Sequence, residues 1–547
     1  MKPENKLSFR ERSTFWRLGR WLFTWRRLRF ALILLAWVIT LIVLFYAEEN
    51  WRGRRAWRQY RQQLEARGTP VDLKSLIPKP VPDAQNFAMT PALAPLYEFV
   101  PGTQHWQDTN SLAQIQNEPP RYQEANRAQK SDEGSDGDWA RGLSIDLQSW
   151  QLAYDASAAA IPGNTPDARA AAAKTVLDGL QEFTPVLDEL RAASQRPYSR
   201  FNIRYEEENT AAILLPHLSV LKRFVQVLKL RASAELAMDQ AGQALEDIEL
   251  AFKLIDETKD EPILISSLVR MSELRLILQP IWEGMAAKKW SGEQLKTLQQ
   301  SLSTFDVLAE ARKGFQDDRA GIGNAAIEFV RKSPSKRVDM LGLLDSVGDQ
   351  TGGLPFVSVC LQLIPSGWFY AEQVEYNRIY DRCIMPLIDI NSRQVSPEVS
   401  SKAQQELESL FGEGPFKLIG HHRMFARLLI PAMAGLVPKA ARTQTAVDLG
   451  MTSCALEQYR LANGRYPENL GQLIPSFLPK IPKDVIDGQP LKYRPESGRF
   501  VLYSIGWNAK DDGGEYPPKK FGESSAMRGT RRGESEPGDW VWRYPAS

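Results

Sequence analysis

The sequence predicts a mainly α protein: an N-terminal transmembrane helix, a helical body of α-hairpins, and a small α+β C-terminal module with an antiparallel sheet. Three observations predict it. The uncharged run Phe30–Ala47 has the length of a membrane span. Apolar residues recur at helical spacing through much of residues 143–440. Residues 441–547 change to short alternating segments broken by Gly and Pro.

At 547 residues the chain exceeds one ordinary core, so several segments are expected. Residues 1–29 form a basic cytoplasmic tail and 30–47 the span. Residues 48–142 combine a juxtamembrane helix, a Pro-rich extended segment and a polar linker. Residues 143–440 make the helical body and 441–547 the C-terminal module. A hydrophobic share of 43% and a charged share of 24% exclude a disordered or multi-span chain. A net charge of +2 gives no global field to recruit nucleic acid.

Phe30–Ala47 would span roughly 27 Å as a helix, close to the hydrocarbon thickness of a bilayer. Its one polar residue is Thr40. Trp16, Trp21 and Trp25 precede it and Trp51, Trp57 and Tyr60 follow, as an aromatic belt would. Both flanks are basic, the N-terminal one more so, which predicts the N-terminus in the cytoplasm and the bulk outside. No small-residue cleavage pattern follows, so the run reads as an uncleaved signal-anchor in the cytoplasmic (inner) membrane, crossing once with a periplasmic body. The apolar stretches Leu354–Ile364 and Leu428–Val437 contain Pro and are too short to cross.

Arg52–Arg67 continues as a charged helix. Pro78, Pro80, Pro82, Pro91 and Pro95 then forbid a regular helix and predict an extended strap, VPDAQNFA, with Phe87 and Met89 as anchors and Asp83, Gln85 and Asn86 available to bond backbone. Thr103–Gly142, polar and containing SDEGSDGD, reads as a surface loop or linker. Asn209–Gln240 carries Ile213, Leu214, Leu218, Leu221, Val225 and Leu228 at helical spacing, interrupted by Pro216. Ala241–Ile255 follows as the second arm of a hairpin, and Ala232–Ile255 faintly resembles one tetratricopeptide unit. Ser291 and Gln294 form a capping box ahead of Leu295, Leu298 and Leu302. Gly367–Asp389 and Ser400–Phe411 read as helices, and Leu428–Arg460 as one long helix entering the C-terminal module.

That module opens with Val447, Met451, Ala455, Leu456 and Tyr459 on one helical face and stops at Asn463-Gly464. Leu470, Leu473, Ile474 and Leu478 can fold back on the helix. Leu491–Tyr493 and Phe500–Tyr503 alternate as strands around the turn Glu496-Ser-Gly498, and an acidic Gly-rich loop, Asn508 to Gly514, precedes Asp539-Trp540. The order NGRYP, LPKIPKD, YSIG, acidic loop and DWVW resembles the tail of the type II secretion major pseudopilin family over about a fifth of the chain. The resemblance implies a calcium ion in the acidic loop, on Asp511, Asp512 and Asp539, with Glu515 and Asn508 as further donors. Calcium takes six or more oxygens, several from carboxylates. The plainer reading is a solvated turn, since Asp-Asp-Gly-Gly is ordinary hairpin chemistry. The prepilin peptidase site of that family, a Gly before an apolar run with Glu at its fifth position, has no counterpart at Phe30. The whole chain resembles a bacterial group of single-span membrane proteins in which VPDAQNFAMTP, a helical body and this tail occur together.

No catalytic signature stands out. His105, His217, His421 and His422 fall in no metal-binding pattern; His421-His422 reads as an exposed turn and His217 as a hydrogen-bonded interior residue. Cys360, Cys383 and Cys454 are widely spaced and read as buried thiols. Glu206-Glu207-Glu208 reads as a solvated helix start. The expected function is therefore a membrane-anchored extracytoplasmic structural or interaction protein, linked to secretion or envelope assembly. Its expected partners are the lipid bilayer and envelope or secretion-system proteins, not nucleic acid. The alternative is a hydrolase-like envelope enzyme with a site between helical body and C-terminal module.

Overall fold

The apolar run and the charged stretch after it form one uninterrupted helix, α1 (Trp25–Ala66), about 63 Å long at 1.5 Å per residue. Its apolar side chains from Phe30 to Phe45 stand exposed on all sides, the surface a lipid environment would cover. Thr40 satisfies its hydroxyl within the helix by donating to the Ala36 carbonyl at 2.7 Å. The computed structural model describes residues 25–100, 103, 105–116, 120–130, 136–156, 165–205, 213–333, 364–412, 417, 420–515 and 538–544. Cys360 and Glu206-Glu207-Glu208 lie outside them.

Two compact units are present. One comprises Met1–Arg67 and Val330–Glu375, the other Gly68–Phe329 and Tyr376–Ser547. In the first, α1 meets the start of a later helix, Ser366–Cys383, backbone against backbone. A Cβ on Gly53 would sit 2.1 Å from the Gly367 carbonyl oxygen, and one on Gly367 equally close to that of Glu49. The Gly367 amide donates to Asn50 Oδ1 at 2.6 Å. Gly53, Trp57 and Leu64 are buried on this side of α1.

The second unit is a helical body with the C-terminal residues built into it. The strap of residues 70–99 is a chain of short 3-10 turns: Leu73–Ser75, Asp83–Gln85, Phe87–Met89 and Ala94–Tyr97. The polar stretch expected as a loop instead holds two helices, α2 (Thr109–Gln116) and α3 (Pro120–Lys130). Tertiary packing overrides composition here: Tyr122 is buried against Trp150 and Phe183, with ring centroids 6.1 and 5.4 Å away.

The body continues through α4 (Leu147–Tyr154), α5 (Pro166–Leu180), α6 (Thr184–Ala193), α7 (Pro216–Ala237), α8 (Ala241–Asp256), α9 (Leu264–Ala286), α10 (Gly292–Leu302) and α11 (Val307–Asp318). Pro216 opens α7 rather than interrupting it, because its missing N–H is harmless in a first turn. Ile213 and Leu214 therefore precede the helix. Ala232 and Ala234 of α7 and Ala244 and Ala251 of α8 are fully buried, and these small side chains let the hairpin close tightly. The capping box forms, with both reciprocal bonds at 2.9 and 3.3 Å. A π-helical segment, Arg319–Asn324, joins α11 to α12 (Ala325–Lys332).

Then come α13 (Ser366–Cys383), α14 (Pro397–Phe411), α15 (Met424–Ala434) and α16 (Val437–Asn463). The long helix expected over Leu428–Arg460 is two, because Pro438 has no N–H to offer the carbonyl four residues back. The helix α16 packs on α9, α10 and α11 and is buried on nearly every side. Gly450 lets it approach Leu278 and Leu302, which a Cβ would meet at 3.2 and 3.4 Å. It ends at Gly464, at φ 72°. Beyond it lies a three-stranded antiparallel sheet, β1 (Lys492–Glu496), β2 (Arg499–Ser504) and β3 (Trp540–Arg543), with β2 central. Tyr493 pairs with Leu502, and Leu502 with Trp542. The edge strand β1, KYRPE, carries a Pro and three charges, which discourage strand addition.

Candidate functional site

Around the C-terminal sheet, buried carboxylates bind elements together. Glu457 on α16 accepts the hydroxyls of Tyr466 and Tyr544, both at 2.6 Å, and Nε of Arg460 at 2.7 Å. Asp484 accepts the amides of Ile486 and Ile505, each at 3.0 Å, and the Ser504 hydroxyl at 2.9 Å. It thereby ties the KD turn to the YSIG turn. Burial raises the Asp484 pKa, and these three donors oppose the rise. Asp448, on the same helix, takes Gln444 Nε2 at 3.1 Å and Arg393 at 3.3 Å; burial still pushes it up to about 6.

The acidic loop follows the same logic. Asp539 is buried beside β3, and its two oxygens accept the amides of Asp512 (3.3 Å) and Gly514 (2.7 Å). Asp511 accepts the Tyr503 hydroxyl at 3.0 Å and the Gly513 amide at 3.1 Å. Asp512 accepts Asn508 Nδ2 at 2.7 Å. The structure thus brings Asp511, Asp512 and Asp539 to one loop, with Asn508 beside them and Glu515 exposed. Burial raises the Asp539 pKa, its amide partners lower it, and the charges of Asp512 and Asp511 raise it further. Among the described residues, no three His, Cys, Asp or Glu side chains are gathered as a metal ion would hold them. A calcium ion here would have to draw on backbone carbonyls or water as well.

A small crevice lies where body and C-terminal module meet, lined by Asp138, Trp139, Ala140, Arg275, Arg442, Ala446, Leu449, Trp540 and Val541. Its single carboxylate, Asp138, pairs with Arg141 at 3.4 Å, and no His lines it. Around it the interface is filled. Trp139 meets Trp542 at 5.1 Å between ring centroids, and Trp282 donates to the Arg543 carbonyl at 2.9 Å. Gln299 donates to the Phe477 carbonyl at 2.8 Å.

The strap is fastened by a buried polar chain. The Tyr97 hydroxyl shares a hydrogen bond with His217 Nδ1, His217 Nε2 lies 2.7 Å from Glu261 Oε1, and Ser266 donates to the other Glu261 oxygen. Phe201 stacks on the imidazole at 4.1 Å. Asn86 is spent on backbone: its amide donates to the Arg200 carbonyl at 2.8 Å, and its oxygen accepts the amides of Arg200 (2.8 Å) and Ala88 (3.2 Å). Phe87 is 0% exposed, whereas Met89 is 37% exposed and anchors nothing; Leu93, Leu96 and Tyr97 serve instead.

His105 and His421 are exposed, and His422 stands in a turn at φ 57°. Cys383 and Cys454 are free and buried, which raises the pKa of both thiols. Ile474, expected in the core, is 44% exposed. Compared with models of known protein families, with curated proteins and with solved structures, the chain matches none.

Proposed function

We propose that this protein is a single-span membrane protein whose helical body and C-terminal module form a stiff extracytoplasmic scaffold for envelope or secretion-system partners. The reading is supported above all by how the buried ionisable groups are used. Glu457, Asp484, Asp539 and Asp448 each bridge separate parts of the fold. Such groups stiffen a structure when fully satisfied. The exposed apolar surface of α1 supports the anchor, and the basic lead of the sequence supports an N-terminus in the cytoplasm. The kinship with pseudopilin tails rests on the same order of helix, hairpin, acidic loop and final strand. Because Pro495 and its charged neighbours blunt β1, partners are expected on helix faces. Crosslinking in intact membranes, followed by identification of the bound proteins, tests the reading: recovery of envelope proteins supports it, and their absence counts against it.

Calcium on the acidic loop is a second reading, favoured by the charges of Asp512 and Asp511 beside Asp539, which a divalent cation would offset. Titration calorimetry with calcium, on the chain and on D512N, decides it. Heat of binding lost in the variant supports the ion, and no heat in either removes it.

A further inference from the structure

We propose that the first turns of α1 beyond the apolar run carry a binding stripe for anionic phospholipid headgroups, made by Trp51, Arg54, Arg55 and Arg58. The inference rests on the membrane-span reading and adds to it a lipid preference. At 100° per residue these four positions fall within about 100° of one another. Gly53, Trp57 and Leu64, the buried positions, face the other way. Trp51 is 62% exposed, and all three arginines are exposed. The Arg55 guanidinium lies over the Trp51 ring at 5.4 Å from its centroid.

Charge bookkeeping along the helix singles out the same residues. Arg52 is paired with Glu49, and Arg61 with Glu65 at 2.7 Å. Arg54, Arg55 and Arg58 have no carboxylate partner among the described residues. Five arginines stand between Glu48 and Arg61 against two glutamates, so the segment is net positive even counting Glu48.

Height above the bilayer fits headgroups. Trp51 lies about 6 Å beyond Ala47 along the helix axis, within a headgroup layer of about 5–8 Å. Arg54 and Arg55 lie at about 10–12 Å, with Arg58 one turn higher. Side chains of a helix tilt toward its N-terminus, which here is the membrane side, so Arg54 and Arg55 lean back toward the lipid phosphates, while Arg58, about 16 Å beyond Ala47, adds charge above them. Guanidinium groups match phosphate oxygens in a bidentate way.

The test uses the full chain in detergent micelles, titrated with short-chain phosphatidylglycerol or phosphatidylcholine and read by native mass spectrometry. The chain is expected to bind the anionic lipid preferentially. R54Q/R55Q/R58Q should weaken that binding on the order of 100-fold while leaving phosphatidylcholine unchanged. The charge-preserving R54K/R55K/R58K should retain most of it, as should K74Q/K402Q/K480Q at distant exposed positions. Inorganic phosphate should not displace the lipid. Equal binding by the Gln variant, displacement by phosphate, or loss of a crosslinked protein with lipid binding intact would overturn the stripe. Resistance to alkaline extraction reports the apolar run alone. A chain that stays membrane-integral without a lipid preference therefore sinks only the stripe.

Discussion

Glu457 and Tyr544 stand 87 positions apart, and the Glu457 carboxylate accepts the Tyr544 hydroxyl at 2.6 Å. The last strand is thereby bolted to the long helix α16, with Tyr466 on the same oxygen. Glu457→Ala would strand two tyrosine hydroxyls and an arginine. We expect a loss of about 2–5 kcal/mol, seen as a lower urea midpoint of the solubilised chain. Glu457→Gln keeps an acceptor and should lose less. Equal midpoints for Ala and wild type would show that the bolt carries no stability.

Asp539 predicts a local effect. Asp539→Ala removes the acceptor of the Asp512 and Gly514 amides, so hydrogen exchange at those two amides should accelerate by an order of magnitude or more. Asp512→Asn leaves both bonds and should not change it. Unaltered exchange in Asp539→Ala would contradict the latch.

The strap yields a contrast between neighbours. Phe87→Ala should cost about 3–5 kcal/mol, and Met89→Ala less than about 0.5 kcal/mol. Limited proteolysis between residues 78 and 99 should accelerate only in the first. Similar cleavage of both would mean that the strap is not held by Phe87.

Stability should fall as pH rises. Burial and the neighbouring Asp317 push Asp318 from 3.8 up to about 7, and burial pushes Glu273 from 4.5 up to about 8. A raised pKa means that the folded chain holds the proton more tightly than the unfolded chain. The contribution is thus complete below about pH 4 and is lost as pH climbs to about 7–8, a few kcal/mol in order of magnitude. Asp318→Asn should make the melting temperature less pH-dependent between pH 5 and 8 and raise it at pH 8. An unchanged slope would contradict the assignment.

At the helix crossing, Gly53→Leu places side-chain atoms where the Gly367 backbone lies. The α1–α13 contact should open, and a disulfide engineered across it should no longer form. Retained crosslinking would mean that the crossing tolerates bulk.

What the sequence discloses and what it hides divide by range. The apolar helix, the Ser291–Gln294 box, the stop at Gly464 and the hairpin at Gly498 are local chemistry, legible within a few residues. The polar ties are not, because Tyr97 and His217 lie 120 positions apart, and Asp484 and Ile505 21 apart. Helix α16 misleads for another reason. Its Thr443 and Thr452 are polar yet buried, with hydroxyls bonded four residues back, at 2.9 and 2.7 Å. Polar α2 and α3 read as linker because the burial of Tyr122 is decided by aromatic rings in later helices. At the acidic loop the residues were legible, and the role of Asp539 as a backbone acceptor was not.

The anchor and its direction are tested most directly by paired reporters fused after Ser547, alkaline phosphatase in one strain and a cytosol-restricted fluorescent protein in another. An extracytoplasmic body predicts active phosphatase and a dark fluorescent fusion. Fluorescence with inactive phosphatase would place the body in the cytosol and contradict it.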